Sequence, residues 1–179
     1  MSGAANESET KWTWSLRIIP GAVPRAQVRT TLTYRFHPRL SAGIEYNPKG
    51  ETATARAGPL VNFLVMTETD KRPALMAGTS SDRIGTRDGQ SFYATLSKNL
   101  KRETGLPIAP YAGVAYSTFH DRLLGLGGLN VQFTRNFSGL AMFDGVHVHP
   151  LLFYNYKRSQ FLFILVKGRI PGVGYNITF

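Results

Sequence analysis

Apolar and polar residues alternate along this chain with a period of two. In "KWTWSLRII", Trp12, Trp14, Leu16 and Ile18 share one face, and Lys11, Thr13, Ser15 and Arg17 the other. "VRTTLTYRFH" sets Val28, Leu32, Tyr34 and Phe36 against Arg29, Thr31, Thr33 and Arg35, and "RLSAGIEYN" and "LNVQFT" follow the same rule. Such alternation marks half-buried strands, and no window of helical length carries a comparable i, i+3, i+4 stripe. The pattern predicts twelve strands, over about 11–19, 26–37, 39–47, 58–67, 73–80, 90–99, 108–118, 127–134, 137–146, 148–156, 160–167 and 172–179. The last, "GVGYNITF", alternates up to Phe179. Chain ends fray unless something ties them down, so this one is expected to be held in a sheet.

The links between these segments fall into two alternating classes. Those after even-numbered strands are tight and polar, such as "HPR", "RN" and "KRSQ"; those after odd-numbered strands are longer and Gly-rich, such as "SSDRIGTRDGQ" and "FHDRLLGLGG". An even strand count with turns at one end and loops at the other is the layout of an up-and-down barrel. Segments of 8 to 11 residues suit tilted strands that cross a bilayer. The expected fold is all-β: a single closed antiparallel transmembrane β-barrel over residues 11–179, with ten or eight strands as alternatives if short segments merge. Residues 1–10 are expected to form a flexible N-terminal segment.

Composition shifts the balance towards a membrane. Charged residues make up only 18% of the chain, and no apolar run is long enough for a membrane helix. The polar faces carry small Thr, Ser, Asn, Gln and Gly with Arg, whereas soluble exteriors are richer in Lys and Glu. Aromatics gather near strand ends, as in the girdles of a bilayer-spanning barrel. A soluble barrel that binds an apolar ligand inside would show the same alternation and stays open. There is no cysteine, which excludes disulfides and thiolate metal sites. The net charge of +10 is scattered between strands and does not build the stripe of a nucleic-acid binder.

Hairpins such as "LTYRFHPRLSAGIEYN" and "VQFTRNFSGLAMF" resemble the periplasmic hairpins of bacterial outer-membrane β-barrels, of the small porin-like kind. Gly174, Ile177 and Phe179 resemble that group's carboxy-terminal assembly signal, although Gly172 stands where a polar residue is usual. The resemblance implies location in the bacterial outer membrane and insertion by its assembly machinery. It also implies contact with membrane lipid and a leader already removed. Basic loop residues (Arg25, Lys49, Arg56, Arg83, Arg87, Arg122, Lys167, Arg169) are candidates for lipopolysaccharide phosphates.

With the apolar faces turned outward, Arg17, Arg29, Arg35, Arg39, Glu45 and Asp144 face the lumen and are the selectivity candidates. Four arginines against one or two carboxylates suggest either an internal ion-pair network or an anion-preferring passive pore. An enzyme is the weaker reading. Ser117, His120 and Asp121 cluster at one strand end, and Asp144, His147 and His149 at another. The outer-membrane lipid-modifying hydrolases place a Ser two residues after the catalytic His, and positions 149 and 122 are His and Arg. No catalytic set, cofactor or metal is assigned.

Overall fold

The computed structural model describes residues 11–49 and 57–179. It contains β1 (Trp12–Ile18), β2 (Val28–His37), β3 (Leu40–Tyr46), β4 (Ala57–Met66), β5 (Ala74–Ser81) and β6 (Gln90–Ser97). β7 (Ile108–Ser117), β8 (Arg122–Gln132), β9 (Phe137–Phe143), β10 (Val148–Tyr156), β11 (Ser159–Val166) and β12 (Ile170–Thr178) follow. Two single-turn helices, α1 (Pro24–Gln27) and α2 (Lys101–Thr104), lie in links. Each strand pairs antiparallel with its sequence neighbours, and β1 closes on β12. The result is a twelve-stranded up-and-down barrel, so the ten- and eight-stranded alternatives fall away. Closure leaves no sheet edge with unpaired N–H and C=O groups.

The last strand is tied down as its alternation required. Thr13 pairs with Thr178 and Ser15 with Asn176. Trp12 and Phe179 exchange two backbone hydrogen bonds of 2.9 and 3.0 Å. Phe179 itself is not buried: its side chain is 55% exposed. The expected residues 1–10 segment and the loop candidate Arg56 lie outside the described residues.

One strand is longer than the alternation predicts. "FHDRLLGLGG" reads as a Gly-rich loop, yet β8 begins at Arg122, which pairs with Ser117. The connecting turn is only 118–121, with Asp121 at φ 49°. Gly125 and Gly127 sit on the outward face of a fully paired strand, where the ladder to β7 holds a backbone that glycine would otherwise loosen. The predicted strand 137–146 is shorter, ending at Phe143, so Asp144 belongs to a loop. The two link classes are also less distinct than expected: the turn-end link 98–107 holds α2, while the loop-end link 167–169 is short.

The register assigns every strand residue to one face. Ser15, Arg17, Arg29, Asn62, Leu140 and Leu162 face the lumen with their cross-strand partners. Outward positions carry large exposed apolar side chains, among them Ile44, Phe63, Val114, Leu152 and Phe163. Among the described residues, no Asp, Glu, Lys or Arg stands on the outward face of a strand. Around the turn end these outward aromatics touch in series. Trp12, Tyr34 and Phe36 meet at 4.8 and 4.9 Å between ring centroids, the first pair tilted and the second edge-to-face. Phe137, Tyr154, Phe161, Tyr175 and Trp14 continue the belt at 4.8 to 6.4 Å.

The lumen is filled at one end. The loops 19–27 and 82–89 fold inward, burying Ile19, Ala26 and Ile84 against Tyr111, Leu140, Leu151, Ile164 and Val166. Two inward tyrosine rings lie over glycines of the neighbouring strand. A Cβ on Gly128 would meet the Tyr111 ring at 2.4 Å, and one on Gly78 the Tyr93 hydroxyl at 2.7 Å. Glycine there makes room for large side chains inside a narrow barrel.

Candidate functional site: a two-sided lumen

Beneath the inward loops lies a cavity of about 580 Å³, reaching the turn-end rim at Pro38 and Arg39. Its lining is mixed. From β1 to β4 come Ser15, Arg17, Arg29, Thr31, Arg35, Ser41 and Asn62, together with Leu16 and Leu64. From β9 to β11 come Leu140, Met142, Leu151, Phe153, Leu162 and Ile164, which also pack in the core under the inward loops, together with Ser138 and Gln160. Gln160 and Asn176 are joined by a 2.8 Å amide hydrogen bond.

Of the predicted site residues, Arg17, Arg29, Arg35 and Arg39 all line this cavity, and among the described residues no carboxylate does. Arg17 and Arg29 stand directly opposite each other on paired strands. Arg29 reaches across to β3, donating to Glu45 at 2.7 and 3.2 Å. Glu45 is 1% exposed and also accepts from Asn47 Nδ2 at 3.0 Å and the Ser81 N–H at 3.2 Å. These bonds answer the cost of burying its charge. Arg35 donates to the Pro38 carbonyl at 3.0 Å. The Nε groups of Arg17 and Arg35 are buried and have no hydrogen-bond partner among the described residues. Thus Glu45 holds Arg29, while the Nε groups of Arg17 and Arg35 keep hydrogen-bonding capacity unused.

Asp144 is not part of this ring. It belongs to a second constellation that locks the loop end. There Arg25, 2% exposed, donates through Nη2 to the carbonyls of Asp82 and Arg83 at 3.1 and 2.8 Å. The same residue donates to the carbonyl and hydroxyl of Thr86, each at 3.0 Å. Asp82 accepts from the Ser117 hydroxyl at 2.6 Å and the Phe119 N–H at 3.2 Å. Asp144 Oδ1 accepts from the N–H groups of Val146 and His147 at 3.0 and 2.8 Å, and its Oδ2 meets His149 Nε2 at 2.9 Å. Burial alone would raise the Asp144 carboxyl, but the His149 bond and the two N–H donors outweigh it and hold the group below its ordinary value.

Neither histidine cluster is built for nucleophilic catalysis. Ser117 is fully buried, donates to Asp82 and accepts the His120 N–H at 3.1 Å, while the His120 ring takes a hydrogen bond from Arg83 at 3.0 Å. No serine–histidine side-chain bond forms among these residues, as a base-activated nucleophile requires. Asp121 pairs with the Tyr116 hydroxyl. His149 uses both ring nitrogens, since Nδ1 accepts the Lys167 N–H at 3.1 Å, and so presents none to a metal.

Sequence reasoning missed Arg25, Asp82 and Thr86 as structural partners. Arg25 and Arg83, expected to reach outward from loops, are turned into the barrel instead. A signal was present: "IIPGAV" and "RIG" put aliphatic residues inside links, where an outward loop has no use for them. No protein-family model and no curated protein matches the chain.

Proposed function

We propose that the protein spans a bacterial outer membrane and admits small anions into its lumen from the turn end, its own loops closing the other end. The outward strand faces, free of charge and ringed at the turn end by aromatics, suit hydrocarbon with an interfacial belt. The observation that carries the anion reading is a cavity lined, among the described residues, by four arginines and no carboxylate. Fixed positive charge in a confined lumen selects for anions. Ion passage requires the inward loops to yield, so conduction is gated by the Arg25 lock.

Planar-bilayer recording with a salt gradient tests this. The expected outcome is infrequent steps with an anion-directed reversal potential, shifted towards cations by Arg35→Glu. Absence of steps in both the native protein and an Arg25→Ala variant removes the channel. A protein that stays monodisperse without detergent removes the membrane, and favours a soluble barrel with a ligand inside.

A further inference from the structure

Charge is placed unevenly around the turn end. On the β4 to β7 side the links mix signs: Lys98 pairs with Glu103 at 3.2 Å, Asp70 pairs with Arg102, and Glu68 accepts the Asn99 N–H at 3.0 Å. On the β8 to β11 side the turns 133–136 and 157–158 carry Arg135, Lys157 and Arg158, all exposed, and no Asp or Glu. Among the described residues, none of these three makes a salt bridge. The two turns are locked side by side. The Asn155 N–H donates to the Asn136 carbonyl at 2.9 Å, and Asn136 Nδ2 donates to the Asn155 carbonyl at 3.0 Å. Lys157 has φ 53°, at a position where two-residue hairpin turns usually place Gly or Asn. Its ammonium stands 5.4 Å from the centroid of the outward Tyr156 ring. Next to these turns along the strands runs the aromatic belt, with Phe137, Tyr154 and Phe161 in contact at 4.8 and 6.4 Å between centroids.

From this we infer that the turn-end rim over β8 to β11 is a docking site for anionic phospholipid headgroups, whose phosphates pair with Arg135, Lys157 and Arg158. The inference rests on the membrane reading above and adds a lipid class to it. Aromatic girdles sit at headgroup level, so cations in the turns just beyond them meet phosphates. Guanidinium groups take phosphate oxygens through paired N–H donors, and an ammonium serves as a point charge. A zwitterionic headgroup brings its own ammonium and leaves the three cations without a net counter-charge. A phosphatidylglycerol headgroup supplies one. Each basic residue near such a surface is worth about fivefold in affinity. The mixed signs of the β4 to β7 side give that side no comparable surplus, because Asp70 and Glu103 already answer Arg102 and Lys98.

Native mass spectrometry of the full chain, released from micelles holding equal phosphatidylglycerol and phosphatidylcholine of matched acyl chains, tests the assignment. Phosphatidylglycerol is expected to be retained over phosphatidylcholine by about tenfold or more. The combined Arg135→Gln, Lys157→Gln and Arg158→Gln variant should lose that preference. Arg158→Gln alone should reduce it about fivefold, and serves should the triple variant fail to fold. Lys71→Gln, Arg72→Gln and Lys101→Gln together remove the same charge from the other side of the rim and should leave the preference in place. Equal losses in the two triple variants would mean that net charge alone attracts the lipid, and overturn the site. Native protein that retains both lipids alike overturns the lipid assignment while leaving the membrane reading intact. A chain that is monodisperse without detergent and retains neither lipid overturns both. Preference for polyglutamate over phosphatidylglycerol in the same competition assigns the patch to an acidic protein and overturns the lipid.

Discussion

Arg17 faces Arg29 directly across the β1–β2 ladder, with both side chains in the lumen. Like charges at opposed positions destabilise a strand pair by roughly 0.2–1 kcal/mol. Glu45 forms its direct ion pair with Arg29, on the β3 side of the ladder. Arg17→Glu is therefore expected to stabilise the barrel by about 0.5–1 kcal/mol while reducing anion preference. Denaturant unfolding from lipid vesicles and reversal potentials measure the two effects separately. A variant that is destabilised, or equally anion-selective, contradicts the electrostatic reading.

Glu45 holds the opposite balance. It is buried, and it joins Arg29 on β2, Asn47 beyond β3 and the β5 backbone at Ser81. Glu45→Gln leaves Arg29 without its ion-pair partner, and breaking such a pair costs about 3 kcal/mol. The same vesicle unfolding should show this loss. An effect below about 0.5 kcal/mol, the usual scale of surface changes, would mean that lumen water solvates Arg29 unaided.

The barrel was legible in the sequence because a two-faced wall forces strict alternation, and turn chemistry such as "HPR" and "KRSQ" separates the strands. The arginine ring followed from the same parity, since Arg17, Arg29 and Arg35 occupy polar positions of well-defined strands. The loop-end lock did not follow. Whether Arg25 points out or in depends on tertiary closure, which brings 82–86 beside it from 57 to 61 residues away in sequence. The apolar part of the lining was equally hidden. On β11, "SQFLFILV" is apolar on both faces, so Leu162 and Ile164 give no alternation to read.

Arg25→Ala should open the loop end. The side chain makes four hydrogen bonds to the 82–86 segment, and bonds of this kind contribute about 1 kcal/mol each. A net loss of about 1.4 kcal/mol shifts a closed–open equilibrium tenfold. Single-channel open probability should rise by at least that factor. Arg25→Lys should open it nearly as much, because an ammonium lacks the planar fork that bridges several acceptors. Unaltered gating in both variants would mean that apolar packing of Ile19 and Ile84 closes the barrel without the lock.

Acid should also loosen the loop end. The Asp144 carboxyl is held below its ordinary value in the fold. A depressed carboxyl contributes stability that is fully present above its unfolded value, about 3.9, and is lost as pH falls through the folded value. Open probability should therefore be insensitive to Asp144 from pH 8 to 5, and rise below about 4. Asp144→Asn should raise opening at neutral pH and flatten the acid response. A native-like acid response in that variant would assign the sensitivity to another group, with Glu45 the next to test.

The outward face gives the sharpest test of location. Val114 lies mid-strand on β7, 50% exposed, opposite Ala94 of β6 and Gly125 of β8. On a soluble surface Val114→Arg is a minor change, within about 0.5 kcal/mol. In hydrocarbon near the bilayer midplane an arginine costs about 2–4 kcal/mol. The flanking Ala94 and Gly125 offer it no polar partner, and the guanidinium is too far from either strand end to be relieved fully by snorkelling. Refolding yield into vesicles and unfolding midpoint should both fall accordingly. The same substitution at Leu123, beside the loop-end rim on β8, should cost about 1 kcal/mol or less. Equal, small effects at both positions would remove the bilayer from the account of this barrel.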